Sequence, residues 1–176
     1  MPAGGKGLLT SPDDIVRSWV GGLGHAKVGA NYGPSVAASQ EAARQGIHQI
    51  LWLYGDQGKC TEAGGSNFFV VWKRKDGDTE LLAAPLDDRL IFDGVIRQER
   101  LEGQIEVTER KFTIDELAEA ASEDRLPEAF SADTAWLICP VSAIQHRDKL
   151  IDVSMGSDGG PSEVTGKLKN LLYDIM

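Results

Sequence analysis

Three residues of types that carry acid–base and nucleophilic chemistry are set in unusual surroundings. Lys27 and Tyr32 lie in "HAKVGANYGPS" (25–35), and Glu62 lies in "TEAGGSN" (61–67). A lysine that sheds its proton is a nucleophile toward carbonyls, and hydroxyl or carboxyl groups at hand can move protons for it. Lys27 stands among glycines just ahead of a helix, with little for its stem to pack against. Taken singly, each has a plainer reading: exposed lysine is the rule, and a carboxylate in a Gly-Gly turn points into water. Asn67, in the same motif as Glu62, reads as a residue that shapes its turn.

Other chemistries are disfavoured. Cys60 and Cys139 are far apart, and His25, His48 and His146 are scattered singly, so no metal-ligand spacing exists and the thiols are expected to be reduced. The 18 Lys and Arg against 27 Asp and Glu give a net charge of −9, the wrong sign for a nucleic-acid partner. "KRK" (73–75) reads as a solvated strand end. The longest apolar runs, "FFVVW" (68–72) and "AWLIC" (135–139), are far too short to span a membrane. The start, "MPAGGKGLLTSPDD", lacks the basic and apolar regions of a secretion signal, so a cytoplasmic or mitochondrial-matrix location is expected. At 176 residues, 41% hydrophobic and 26% charged, the chain suits one soluble domain.

The elements that must position the candidates follow from local pattern. "SPDDIVRSW" (11–19) predicts a short helix with Ser11 as N-cap, Pro12 at the first helical position, and Asp13 and Asp14 at the positive end of the dipole. The glycines of 21–34 break it. An Ala-rich helix is expected from about Ser35 to Gln45, stopping at Gly46. An antiparallel meander follows: "HQILWLYG" (48–55), the polar turn "DQGKCTEAGG" (56–65), "SNFFVVWKRK" (66–75), the turn "DGDT" (76–79) and "ELLAAPL" (80–86). "DGVIRQERLEG" (93–103) reads as a turn feeding a short helix, and "QIEVTERKF" (104–112) as a half-buried strand. "TIDELAEAASEDRL" (113–126) carries a capping box, Thr113 with Glu116. The strands "AWLICPVSAI" and "KLIDV", a glycine-rich loop over 155–162 and a C-terminal amphipathic helix complete the chain.

In order, "VRSWVGGLGHAKVGANYGPS", "QILWLYG", "TEAGGSNFFV", "APLDDRLIFDGVIRQ", "VTERKFTIDEL", "TAWLICPVSAI" and "LYDI" resemble branched-chain amino-acid aminotransferases, of the class IV family that uses pyridoxal 5′-phosphate. The resemblance runs from about Val16 to the last residue. It implies an α+β domain with a mixed, largely antiparallel and partly barrel-like sheet and helices packed outside. It covers only the family's large, cofactor-binding domain; the small N-terminal domain, which gives an arginine to the cofactor phosphate, is expected to be absent from residues 1–176. It makes Lys27 the lysine that forms a Schiff base with the cofactor aldehyde, which calls for surroundings that lower its pKa. Tyr32 becomes the donor to the cofactor's phenolic oxygen, and Glu62 the partner of the ring nitrogen. A carboxylate there lets the ring act as an electron sink. The likeness also implies a small amino-acid or carbonyl substrate and a homodimer.

The phosphate end departs from the family. Gly94, Val95 and Ile96 of "DGVIR", with Thr134 and Ala135 of "SADTA", fall where the family cups the phosphate. Asp93 stands for a proline, Ile96 for a threonine and Asp133 for a glycine. A carboxylate about 4 Å from a phosphate charge costs on the order of 4 kcal/mol at an effective dielectric near 20. Trp136 stands where some members have the first cysteine of a Cys-x-x-Cys pair; it reads as a core residue. These departures favour a repurposed enzyme, acting on a carbonyl compound through Lys27 with the cofactor weakened or lost. Ordinary transamination with pyridoxal 5′-phosphate is the alternative, and a non-catalytic binding or dimerisation domain a third.

Overall fold

The unbroken apolar run at residues 68–72 has to be covered on both sides, and it is the centre of the fold. The structure is a computed structural model that describes residues 4–95, 97 and 107–174. Strands β1 (Lys6–Thr10), β2 (Gln49–Tyr54), β3 (Lys59–Ala63), β4 (Ser66–Lys73), β5 (Thr79–Ala83), β6 (Val107–Glu109), β7 (Glu128–Asp133), β8 (Leu137–His146) and β9 (Lys149–Asp152) form one sheet. Its order is β3-β2-β1-β8-β7-β4-β5-β6, with β9 on β8. Because β3 also pairs with the start of β4, the path β3-β2-β1-β8-β7-β4 returns on itself as a partial barrel. The pairs β1–β2, β1–β8 and β5–β6 are parallel and the other six antiparallel, as the sequence led one to expect.

On β4 the two faces serve different cores. Phe68, Val70 and Trp72 join Leu8, Leu51, Phe112 and Leu117, whereas Phe69 and Val71 join Phe130, Ile138, Leu168 and Leu172. A strand buried on both faces needs no apolar–polar alternation, which is why its sequence shows none. Helix α1 (Gly33–Arg44) lays Ala38 and Ala42 on Ile50 and Trp52. Helix α2 (Ile114–Ser122) has the expected capping box: Thr113 Oγ1 accepts from Glu116 N–H, and the Glu116 carboxylate accepts from Thr113 N–H. Helix α3 (Glu163–Asp174) starts on β7, where the buried Glu128 carboxylate accepts from the N–H groups of Val164 and Thr165, 2.8 Å each.

Three local expectations are corrected. Residues 11–19 form no helix: Ser11 N–H extends the pairing of β1 by donating to Leu51 O, and Ser11 Oγ accepts from Leu53 N–H instead of capping. Arg17 and Ser18 reach to Leu90 O, a tertiary bond that outweighs local propensity. The polar stretch 56–65 contains a strand, β3, and "EAFSAD" supplies another, β7. The segment expected to hold a helix after Gly94 lies mostly outside the described residues.

Candidate functional site

The lysine loop is tied down by a few side chains on its own flanks. Asn31, buried in a short 3₁₀ turn (Gly29–Asn31), donates through Nδ2 to Leu23 O and Ala26 O at 2.7 and 2.8 Å. Arg17 Nη2 donates to Leu90 O at 2.5 Å and Ser18 Oγ to the same oxygen at 2.6 Å. Gly24 sits so close to the 89–90 backbone that a Cβ there would lie 2.6 Å from Leu90 O. These contacts hold Lys27, itself exposed, with Nζ 5.7 Å from the centre of the Phe92 ring. That is within cation–π range.

Phe92 joins the lysine to the carboxylate. Its N–H donates to Glu62 Oε1 at 2.6 Å, and its carbonyl accepts from Asn67 Nδ2 at 2.7 Å. Glu62 and Asn67 face each other in the β3–β4 register, on either side of the two-residue turn Gly64-Gly65. Gly64 has φ +64°, as the first position of such a turn requires. Glu62 is therefore a buried strand residue. Its Oε2 lies 3.0 Å from Arg17 Nη2, in a pair that is 5% and 1% exposed. Burial pushes the Glu62 carboxyl up to about 7, while Arg17, the Phe92 N–H and Arg97 pull it down. A Cβ on Gly65 would lie 3.5 Å from Tyr32, so the tyrosine ring rests on this turn.

A cavity of about 160 Å³ opens between these pieces, lined by Lys27, Gly65, Asn67, Phe92, Gly94, Val95 and the end of β7 with its turn: Ala132, Asp133 and Thr134. Of the sequence-predicted residues, Lys27, Gly94, Val95 and Thr134 thus share one wall system. Glu62 backs it through Phe92. Tyr32 and Ala135 are exposed nearby in sequence but are not part of the lining, and Ile96 lies outside the described residues. Trp136 is 52% exposed and so is not a core residue as expected. A wider cleft of about 610 Å³, lined by Ser11, Asp13, Tyr54, Asp115 and His146 among others, holds none of these candidates. The cysteines are free and buried, and burial pushes both thiols up, so neither is a ready nucleophile.

Comparison with known proteins settles the family. The sequence model of Amino-transferase class IV matches residues 14–144. The chain belongs to the class IV aminotransferases. The cytosolic branched-chain-amino-acid aminotransferase of Rattus norvegicus is 42% identical over 166 residues, covering 90% of this chain and 40% of that protein. The mitochondrial enzyme of Schizosaccharomyces pombe is 42% identical over 177 residues, covering 95% and 41%. The solved structure of the branched-chain amino acid aminotransferase from Escherichia coli matches with a TM-score of 0.70 at 25% identity, over 99% of this chain and 54% of that one. The chain spans about 40% of the length of these curated relatives.

A phosphorylated pyridoxal group fits this class IV chain at one end only. At the ring end, Glu62 Oε2 is buried and, despite its ion pair, accepts no hydrogen bond. At the phosphate end, Asp133 Oδ1 accepts from Ala135 N–H at 2.7 Å and Trp136 N–H at 2.8 Å, and Oδ2 accepts from Ser66 Oγ. The turn's donors are satisfied by the chain's own carboxylate. The sequence reading singled out Lys27 and Glu62 but not Arg17, hidden in an expected helix, or Phe92, which no spacing marks. Asn67 was assigned to its turn alone, yet it also fixes Phe92 and lines the cavity.

Proposed function

We propose that this chain is the cofactor-side domain of an aminotransferase that exchanges amino groups between branched-chain amino acids and 2-oxo acids, with Lys27 as its catalytic amine. The observation that carries the reading is the connected set Lys27–Phe92–Glu62–Arg17 at one small cavity. The 42–43% identity to branched-chain enzymes in several relatives supports it, and gives no support to a wholly different reaction. When bound, a pyridoxal ring supplies an electron sink for bonds at the substrate α-carbon. The chain's own residues would do the rest. Lys27 Nζ holds and moves protons at the cavity, and Phe92 keeps that cation near an aromatic face. Glu62, held by Arg17 and Phe92 N–H, offers a buried carboxylate to a ring nitrogen, and Tyr32 offers a hydroxyl.

Lys27 is exposed, and a catalytic lysine needs a drier setting. A small domain closing over the cavity, supplied from outside these residues, would provide it, and pairing of two large domains would make the working unit. The test joins this chain to the N-terminal portion of one of the longer relatives and follows oxo-acid formation from leucine, isoleucine and valine with 2-oxoglutarate. Activity is expected with the native sequence and a loss of roughly a thousandfold or more in Lys27→Ala, on the scale of removing a nucleophile. An inactive joined protein, or one indifferent to Lys27→Ala, would overturn the reading.

A further inference from the structure

Asp133 is the one feature of the site that the proposed chemistry does not absorb. It ends β7, and its carboxylate is fixed by three donors: the N–H groups of Ala135 and Trp136 on one oxygen and the Ser66 hydroxyl on the other. Aspartate at the head of a tight turn does this readily, since its side chain mimics the next backbone turn. The three-residue connection to β8 closes with Leu137 at φ +58°, so the turn is committed to this shape. The same residue lines the cavity with Lys27. An anion is thus built into the wall, on the backbone donors that an incoming anion would need.

The cavity's size points the same way. About 160 Å³ is close to the roughly 150 Å³ that suffices for a benzene-sized guest. It is the size of one small ring, and the Asp133 turn, which falls where the resemblance puts the phosphate cup, forms part of its wall. We infer that Asp133 stands in for the cofactor phosphate, and that the site takes the unphosphorylated pyridoxine-type ring in preference to its 5′-phosphate. The inference rests on the proposed function for the identity of the ring. It goes beyond that reading in naming the form of the cofactor and the residue that selects it.

Pyridoxamine and pyridoxamine 5′-phosphate are the probes, because neither has an aldehyde to condense with Lys27 and their difference isolates the phosphate. Calorimetric titration of the 176-residue chain should give pyridoxamine the tighter binding, by on the order of tenfold or more, since like charges in contact are costly. Asp133→Gly should invert the preference and let inorganic phosphate compete with the phosphorylated probe. Asp133→Asn, which keeps an acceptor for the turn but drops the charge, should move the ratio in the same direction and guards against a misfolded glycine variant. Tighter binding of the phosphorylated probe by the native chain would overturn this inference and leave the proposed function standing. A ratio unchanged in both variants would do the same. Failure of native chain and variants alike to bind either probe would overturn this inference, while the proposed function stands or falls with the joined protein's activity.

Discussion

Glu62 shows how a single side chain couples the site to stability. Its carboxyl is raised from 4.5 to about 7, chiefly by burial, so between those pH values the folded chain holds a proton that the unfolded chain has lost. The stabilisation is fully present below about pH 4.5 and is lost as pH rises through 7, by about 3 kcal/mol in all. Glu62→Gln removes the titration. Urea unfolding from about pH 4.5 to about pH 8 should therefore show the native chain losing stability relative to Glu62→Gln as pH rises; a constant difference between the two would contradict the assignment. Lys27 and Glu62 were singled out through the family resemblance, since each alone reads as an exposed side chain. Arg17 was not, because its role depends on Leu90, a partner 73 residues away. Asp133 was legible as a departure, but its three bonds depend on how the β7–β8 turn folds.

At the level of elements, the lysine loop works as a clamp between residues 17–18 and 89–92. Gly24 is the point of closest approach: an added Cβ would meet Leu90 O, Arg89 O and Ser18 Cβ within 2.7 Å, and two of these are backbone atoms that cannot swing aside. Gly24→Ala is expected to cost roughly 1–3 kcal/mol, as overpacking does. It should also displace Lys27 from Phe92, so thermal unfolding and ring binding should worsen together. A variant with native stability and binding would show that the clamp does not position the lysine. The capping box of α2 could be read locally because its signals are local, and α1 was expected from about Ser35, two residues after its actual start at Gly33. Residues 11–19 carried equally good helix signals and yet form loop, since Arg17 and Ser18 gain more from Leu90 O than a short helix would return. Strand β3 was hidden because Lys59, Thr61 and Glu62 are polar; Thr61 and Glu62 are buried only through the bonds of Thr61 Oγ1 to Trp52 O and of Glu62 to Phe92 and Arg17.

For the whole molecule, the mixed sheet and its closure through β3–β4 place four separate pieces of chain around one cavity: the lysine loop, the β3–β4 turn, the 92–95 segment and the β7–β8 turn. Family likeness made the sheet type readable in the sequence. Its partly barrel-like form was expected from the same likeness, but the strand that closes it was not: the closure rests on only two residue pairs, Glu62 with Asn67 and Ala63 with Ser66. The central claim is that this closure gives Lys27 a privileged carbonyl partner in the cavity, and that claim has a direct test. The chain is incubated with stoichiometric pyridoxal, reduced with borohydride, digested and mapped by mass spectrometry. A single reduced adduct on Lys27, absent from Lys27→Ala and suppressed by excess pyridoxamine, is the predicted result. Adducts spread over the surface lysines with Lys27 unmodified would contradict it.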